Sequence, residues 1–398
     1  MADIQVPSYF VCPISLEIMK DPVTISTGIS FDRETIEKWI FSHKNHICPI
    51  TKQPLSDVDL TPNVTLRRLI QSWCTLHASH GVERLPTPKA PVTKPQLLTL
   101  LADAGTTPQT QIKCLHRLRS IASTNQTNRI CMEKSGAAEF LAALVLGASV
   151  ETSEEALTIL YSLKLSESAL KSLASRSEFI ACLTRLMQSP SYESRAYAVM
   201  MLESITEVND DRSDLLNSNP LILFELIQIL KDQICRKATK SALKMLITIC
   251  AWGRNRIKAA EAGLVGVVID LLLDSSDKRT SEMMLTVLDL VCQCAEGRAE
   301  LVRHGAGLAV VSKKILRVSQ LASERAVRVL HSVSKFSATA PVLQEMAQIG
   351  VVAKLCLVLQ VECGVKTKMR ARDILKLHAR AWRNSSCVPN TFVSLLRS

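Results

Sequence analysis

From Ser135 to Leu355 apolar residues recur at helical spacing, and segments of similar build open successive helices. They are Ser135-Gly-Ala-Ala-Glu-Phe-Leu, Ser177-Glu-Phe-Ile-Ala-Cys-Leu, Asn219-Pro-Leu-Ile-Leu-Phe-Glu-Leu, Ala262-Gly-Leu-Val-Gly-Val-Val, His304-Gly-Ala-Gly-Leu-Ala-Val and Ile349-Gly-Val-Val-Ala-Lys-Leu. The markers Gly136, Ser177, Pro220, Gly263, Gly305 and Gly350 stand 41, 43, 43, 42 and 45 residues apart. A steady period of this size predicts stacked helical units, each burying its apolar face only against its neighbours. Within a unit a short helix such as Arg298–His304 precedes the marker, a second such as Val265–Leu273 follows it, and a longer third such as Ser281–Ala295 closes it. Pro95 to Asn125 reads as an irregular capping unit, and the pattern loosens between Gly147 and Glu155. A last helix near Lys366 to Arg383 caps the far end, its Met369, Ile374, Leu375 and Leu377 only partly sharing one face.

The N-terminal eighty residues follow another pattern. A loop presents Pro13 and Ile14, a turn falls at Asp21-Pro22, and a short hairpin closes at Thr27-Gly28. Asp32 is placed to cap a helix with Glu34 in its first turn. Ile36 and Ile40 share that helix's apolar face, with Trp39 at its edge. A second loop, Cys48-Pro-Ile-Thr-Lys52, follows. Asn63 then caps a second helix with Leu66, Leu69, Ile70 and Trp73 at helical spacing and Gly81 as its stop. Residues 83–95 carry Pro86, Pro88, Pro91 and Pro95, so the segment is expected to be extended and semi-rigid. The expected organisation is a small α+β module over 8–82, a proline-rich linker over 83–95, a helical solenoid over 96–383 and a tail over 384–398. The period lies in the armadillo/HEAT range, and a three-helix unit with a small or helix-breaking marker favours armadillo.

Composition agrees with packed helices: aromatic residues make up 4% of 398. No apolar run approaches the roughly 20 residues of a membrane span, and the N-terminus has no apolar signal core, which argues against secretion. Thirteen cysteines are scattered without pairing logic. Several sit in apolar helical stretches (Cys182, Cys250, Cys292, Cys294, Cys356) and read as reduced core thiols of a cytosolic or nuclear protein. The net charge is +11, yet residues 1–82 hold seven Lys/Arg against eight Asp/Glu. Residues 366–398 hold eight basic residues and one acid. That end reads as a solvated basic face, with an acidic partner or a phospholipid surface as alternatives. Nucleic acid is less attractive, because the tail's aromatics are only Trp382 and Phe392.

Two loops flanking a helix is an arrangement that RING fingers build on zinc. A two-zinc brace needs roughly eight Cys/His ligands, mostly in close pairs. The region offers Cys12, Cys48, Cys74, His43, His46, His77 and His80, with no Cys-x-x-Cys. No metal or other cofactor is therefore expected, and the loops must be held by side-chain hydrogen bonds, salt bridges and packing. Cys12 and Cys48 are the tempting thiols for a nucleophile, but their positions beside prolines at the loop roots suit a structural role.

The residues that carry this region are Cys12-Pro-Ile-Ser-x-Glu-x-Met-x-Asp-Pro-Val23, Gly28-Ile-Ser-Phe-Asp-Arg33, Ile36-Glu-Lys-Trp39, Cys48-Pro-Ile-Thr51 and Leu60-Thr-Pro-Asn-Val-Thr-Leu-Arg-Arg-Leu-Ile70. Together they closely resemble a U-box over residues 8–82. With Trp252-Gly-Arg-Asn-Arg256, Cys292-Gln-Cys-Ala-Glu-Gly-Arg298 and Lys376-Leu-His-Ala-Arg-Ala-Trp382, the chain resembles the stress- and immunity-associated group of plant U-box/armadillo E3 ubiquitin-protein ligases. The resemblance implies a zinc-free, RING-like U-box followed by an all-α armadillo superhelix. It implies an enzyme that binds a ubiquitin-charged E2 and biases the conjugate toward transfer, with no covalent intermediate on the ligase. By family pattern the E2 surface comprises Pro13, Ile14, Trp39 and Pro49. Lys52 stands where several U-boxes carry an Arg that bridges E2 and ubiquitin; lysine keeps the charge but lacks the planar fork. The implied partners are E2, ubiquitin and a protein substrate in the armadillo groove, and homodimerisation is a family expectation. Auto-ubiquitination is a further expectation of the same resemblance; the reduced thiols make a cytoplasmic location the expected one, with nucleus and, through the basic end, membrane periphery as open alternatives.

Candidate groove residues on third helices are Glu193, Arg195, Lys237, Lys244, Arg325 and Arg328. The competing class is a non-catalytic armadillo scaffold or transport adaptor. An import adaptor would carry a ladder of Trp-x-x-x-Asn pairs on its third helices. The tryptophans stand at 39, 73, 252 and 382, and only Trp252, with Asn255 three residues on, lies in the middle of the repeats. The ligase reading is the stronger.

Overall fold

The computed structural model describes residues 6–37, 39–40, 47–55, 60–77, 92–104, 108–124, 126–147, 149–209 and 221–382. The linker prolines Pro86, Pro88 and Pro91, together with Gly81, Pro220 and the basic tail beyond Trp382, lie outside these residues. The chain divides into two compact units, Met1–Pro91 and Val92–Ser398.

In the first unit β1 (Pro22–Thr24) is the centre of a three-stranded antiparallel sheet between β2 (Ser30–Asp32) and β3 (Thr61–Pro62). Val23 lies opposite Phe31 on one side and Pro62 on the other. The hairpin closes at Gly28, whose φ of 81° is the left-handed conformation that a residue without Cβ adopts at no steric cost. α1 (Arg33–Glu37) leaves β2 directly, with Glu34 in its first turn. The Asp32 side chain, expected to cap α1, accepts hydrogen bonds from the backbone N–H groups of Lys20 and Asp21 instead. α2 (Val64–Leu76) is capped by Asn63, whose Oδ1 accepts the Leu66 N–H at 3.0 Å. It ends at Leu76, short of the expected stop at Gly81. The core is Phe10, Met19, Val23, Phe31, Ile36, Ile40 and Ile70, with Trp39, Leu66 and Trp73 packed on its edge. Leu69, expected in the α2 stripe, is exposed because Ile70 and Cys74 turn to the core.

The second unit opens with Lys94–Asp103, capped by Thr93 and carrying Pro95 in its first turn, where a missing N–H costs no helical hydrogen bond. Lys94 and Pro95 thus belong to the helix and not to the linker. The long third helices are Val150–Ser162, Tyr192–Val208, Arg236–Ile249, Lys278–Val291, Gln320–Phe336 and Val365–Leu377, and each packs on the next. One continuous apolar core runs through the stack, as expected when each unit depends on its neighbours. At Gly136, Gly263 and Gly350 the chain takes φ of 82°, 80° and 75° and turns from one helix into the next.

Several boundaries differ from expectation. The loosened stretch after Gly147 is a short break, because Ser149 caps the helix Val150–Ser162, in which Glu155 lies. The third helix expected to reach Ala295 stops at Val291, and Ala295 already begins the next helix. The last long helix stops at Leu377, with a short turn of helix over Ala379–Trp382. Its Ile374 and Leu375 are buried while Met369 and Leu377 are exposed. Trp252 caps a short helix, and Asn255 donates to Ile249 O, so neither belongs to a third-helix ladder.

The tight corner after Val291 depends on Gly297: a Cβ there would fall on the Val291 carbonyl oxygen, whereas at Gly253 it meets open space. Gly297→Ala is expected to destabilise the solenoid by about 1–3 kcal/mol through overpacking. Gly253→Ala should leave the melting temperature unchanged or raise it slightly. Equal melting temperatures for the two variants would contradict the close approach.

Candidate functional site

The two loops of the first unit are built alike. Residues 12–17 read Cys-Pro-Ile-Ser-Leu-Glu, and residues 48–53 read Cys-Pro-Ile-Thr-Lys-Gln. In the first, Cys12 N–H donates to Glu17 O at 2.8 Å and Leu16 N–H to Cys12 O at 2.9 Å. In the second, Cys48 N–H donates to Gln53 O at 2.8 Å and Lys52 N–H to Cys48 O at 3.0 Å. A single antiparallel bridge closes each loop, Val11 with Ile18 and Ile47 with Pro54. The fifth residue of each, Leu16 and Lys52, has φ of 58°. That left-handed conformation costs a residue with a Cβ about 1–2 kcal/mol, so the surrounding hydrogen bonds must hold it.

A cysteine sulfur lies at the root of each loop, and both residues are fully buried. Cys12 Sγ accepts the Asp32 N–H at 3.3 Å, and Ile14 and Ser15 also hydrogen-bond to it. Cys48 Sγ accepts from the Thr27 hydroxyl and the Thr51 N–H, both at 3.5 Å. Burial alone would push the Cys48 thiol up. The donors from Thr27, Thr51 and Ile50 outweigh burial and hold it down to about 7. The Cys12 thiol is lowered by the same balance. Both sulfurs thus serve as acceptors that organise a loop, and neither is exposed to attack a substrate.

Charged side chains tie the loops to the helices. Asp21 accepts from Arg33 Nε at 2.7 Å and from Arg67 Nη1 at 3.1 Å, linking the turn before β1 to α1 and α2. Asp32 Oδ1 takes the Lys20 and Asp21 N–H groups at 2.8 and 2.9 Å. Trp39 Nε1 donates to Ile47 O at 3.0 Å, fixing the indole against the entry to the second loop. Among the described residues no group of three His, Cys, Asp or Glu side chains is placed to hold a metal ion; His43, His46 and His80 lie outside them.

The candidate residues fall on this frame as follows. Pro13 is exposed on the first loop, and Ile14 beside it is half-buried against the core. Trp39 is half-buried with its ring edge fixed by Ile47 O, Pro49 is half-buried, and Lys52 is exposed. Leu16 and Ile50, exposed at 77% and 50%, extend the apolar surface of the two loops and were not singled out from the sequence. The repeated hexapeptide was the signal that could have found them.

In the solenoid most of the candidate groove cations are occupied by the neighbouring repeat. Arg195 pairs with Asp232 at 2.6 Å and donates to Met187 O. Lys244 holds Glu203 and Glu207. Arg325 and Arg328 both reach the buried Asp289, at 2.9 and 3.0 Å. Burial pushes the Asp289 carboxyl up, and the two guanidiniums pull it back. Lys244, Arg325 and Arg328 therefore clamp adjacent third helices, and Arg195 ties its third helix to Leu221–Asp232 of the next repeat. Glu193 and Lys237 are exposed.

Comparison with known proteins yields two family matches, the U-box domain over residues 6–79 and the plant U-box protein ARM repeat region over residues 96–395. Relatives in Arabidopsis thaliana extend over the whole chain. E3 ubiquitin-protein ligase PUB23 is 54% identical, covering 98% of this chain and 97% of that protein. E3 ubiquitin-protein ligase PUB22 is 53% identical, covering 97% of each. U-box domain-containing protein 25 is 35% identical, covering 98% of this chain and 94% of that protein.

The Cys48 geometry predicts a pH dependence. A thiol held below its ordinary value when folded confers stability that is fully present above that ordinary value and is lost as pH falls through about 7. The urea midpoint of the first unit in the full chain is expected to rise between pH 7 and 9. Cys48→Ser, which does not titrate, should flatten that rise. An unchanged slope in Cys48→Ser would contradict the assignment.

Proposed function

The chain belongs to the plant U-box proteins with an ARM repeat region, and on that premise we propose that Pro13, Ile14, Trp39, Pro49 and Lys52 form the surface that engages a ubiquitin-charged E2 enzyme. The chain is an E3 ubiquitin-protein ligase: the U-box works with E2 and ubiquitin, and the repeats serve a protein substrate. No covalent intermediate forms on the ligase, so its contribution is positioning. Holding a flexible E2–ubiquitin conjugate in a reactive arrangement recovers the orientational entropy that free solution would cost.

The observation that carries the proposed surface is the pair of matched loops with one tryptophan fixed between α1 and the second of them. Apolar side chains held at loop tips over rigid roots lose little freedom on binding, which suits a small transient interface with one aromatic anchor. Leu16 and Ile50 add apolar area on the same two loops. Lys52 adds a positive charge at the fifth position of the second loop, set by the left-handed backbone there. As an ammonium it acts as a point charge and cannot fork between two acceptors.

In an assay of E2-dependent ubiquitin discharge, run below the melting transition of each variant, Ile14→Ala and Trp39→Ala are each expected to lower the rate by about tenfold or more while still folded. Discharge should persist in the presence of chelator. Lys52→Arg is expected to raise the rate a few-fold, because a guanidinium can donate to two partners at once. Full discharge by folded Ile14→Ala and Trp39→Ala would overturn the surface, and loss of discharge on chelation would overturn its metal-free scaffold.

A further inference from the structure

The chain has four tyrosines; one is Tyr9, and the other three, Tyr161, Tyr192 and Tyr197, line a single cavity on the second unit. The cavity has a volume of about 630 Å³ and runs from the end of Val150–Ser162 across Tyr192–Val208 to the start of Arg236–Ile249. The Tyr161 and Tyr197 rings pack at a tilt of 45° with centroids 5.4 Å apart, and Met200 and Ile234 complete the apolar wall. Tyr192 is 62% exposed at the rim, with the Arg195 guanidinium 5.8 Å from its ring centre. Burial pushes the Tyr161 and Tyr197 phenols up, so both stay neutral and able to donate.

The charges around the cavity are lopsided. Arg129, Lys164 and Lys237 line it against one carboxylate, Glu193. Glu193 is engaged by Arg119 at 3.7 Å and by the Tyr197 hydroxyl. Arg129 spends its Nε on Ala122 O. Lys164, set by a left-handed backbone (φ 53°), and Lys237 are exposed, and among the described residues neither is in an ion pair. By contrast Arg195, Lys244, Arg325 and Arg328 are already occupied by acidic residues of a neighbouring helix. The tyrosine cavity therefore combines an apolar aromatic floor with uncommitted positive charge.

We propose that this cavity is the subsite at which the repeats hold their protein partner, and that it takes a large aromatic or aliphatic side chain from a segment carrying carboxylates on either side. The inference rests on the reading that the repeats serve a substrate, and it adds the chemistry of the segment recognised. The anchor side chain packs against Tyr161, Tyr197 and Met200, while the flanking carboxylates meet Lys164 and Lys237. A basic segment is disfavoured by the same cations.

The test is fluorescence anisotropy of the full chain with a fluorescein-labelled peptide, Gly-Asp-Glu-Phe-Glu-Asp-Gly. One control has the central Phe replaced by Ala, and another has every acid replaced by Lys. The acidic Phe peptide is expected to bind about tenfold or more tighter than either control. Tyr192→Ala and Lys237→Glu, both at exposed positions, should each weaken it by about tenfold. Equal binding of the Ala control, preference for the Lys peptide, or unchanged binding by both variants would overturn the proposal. Ubiquitin discharge from E2 to free lysine, measured on the same unsubstituted preparation, separates the two readings. Discharge without peptide preference removes only the subsite, whereas absent discharge removes the ligase reading and leaves the peptide result to decide the subsite.

Discussion

Two buried sulfur atoms set the geometry on which the proposed E2 surface depends. Each lies at the root of a six-residue loop and accepts N–H groups from the loop above it, Cys12 from Ile14 and Ser15 and Cys48 from Ile50 and Thr51, while Cys12 also takes the Asp32 N–H of β2. A loop without regular secondary structure has backbone donors that must find acceptors or remain unsatisfied at a cost of about 1–3 kcal/mol each. The sulfurs supply those acceptors from inside. The Asp21 and Asp32 carboxylates then fasten the turn that follows the first loop to both helices and the sheet. The result is rigidity at Pro13, Ile14, Leu16, Pro49 and Ile50, where exposed apolar groups would otherwise collapse onto the core.

The solenoid solves a different problem. Its units have no core of their own, so their relative placement must be specified between repeats. Apolar stacking supplies the energy, and ion pairs one repeat apart supply the register: Arg119 with Glu155, Arg195 with Asp232, Lys240 with Asp277, and Arg325 and Arg328 with Asp289. Exposed pairs of this kind contribute only about 0–1 kcal/mol each. Asp289 is the exception, because an acid so deeply buried would be strongly unfavourable without its two arginines. Among the described residues the exposed Lys164 and Lys237, beside the tyrosine cavity, take no part in this use of charge for stacking.

Local features of both units were legible in the sequence. Gly28 closes the hairpin, Asn63 caps α2, Ile36 and Ile40 enter the core, and the repeat markers Gly136, Gly263 and Gly350 mark helix junctions, because each depends on residues within a few positions. What depended on distant partners was not. Asp32 has the chemistry of a cap, yet its carboxylate is drawn to Lys20 and Asp21 by a sheet that brings them together. Arg195, Lys244, Arg325 and Arg328 look like free groove cations until a neighbouring repeat places its acids beside them. The stop at Val291 is set by the close approach of Gly297, and helical periodicity carries no trace of it. The equivalence of the two loops was present as a repeated hexapeptide, but only the shared hydrogen bonds give it meaning.

The most direct test of the account is hydrogen exchange on the full chain, with and without a non-hydrolysable E2–ubiquitin conjugate. The account predicts added protection in residues 12–17, around Trp39 and in residues 47–53, with α2 unaffected. Protection confined to α2 or to the repeats, with both loops exchanging as in the free protein, would contradict it.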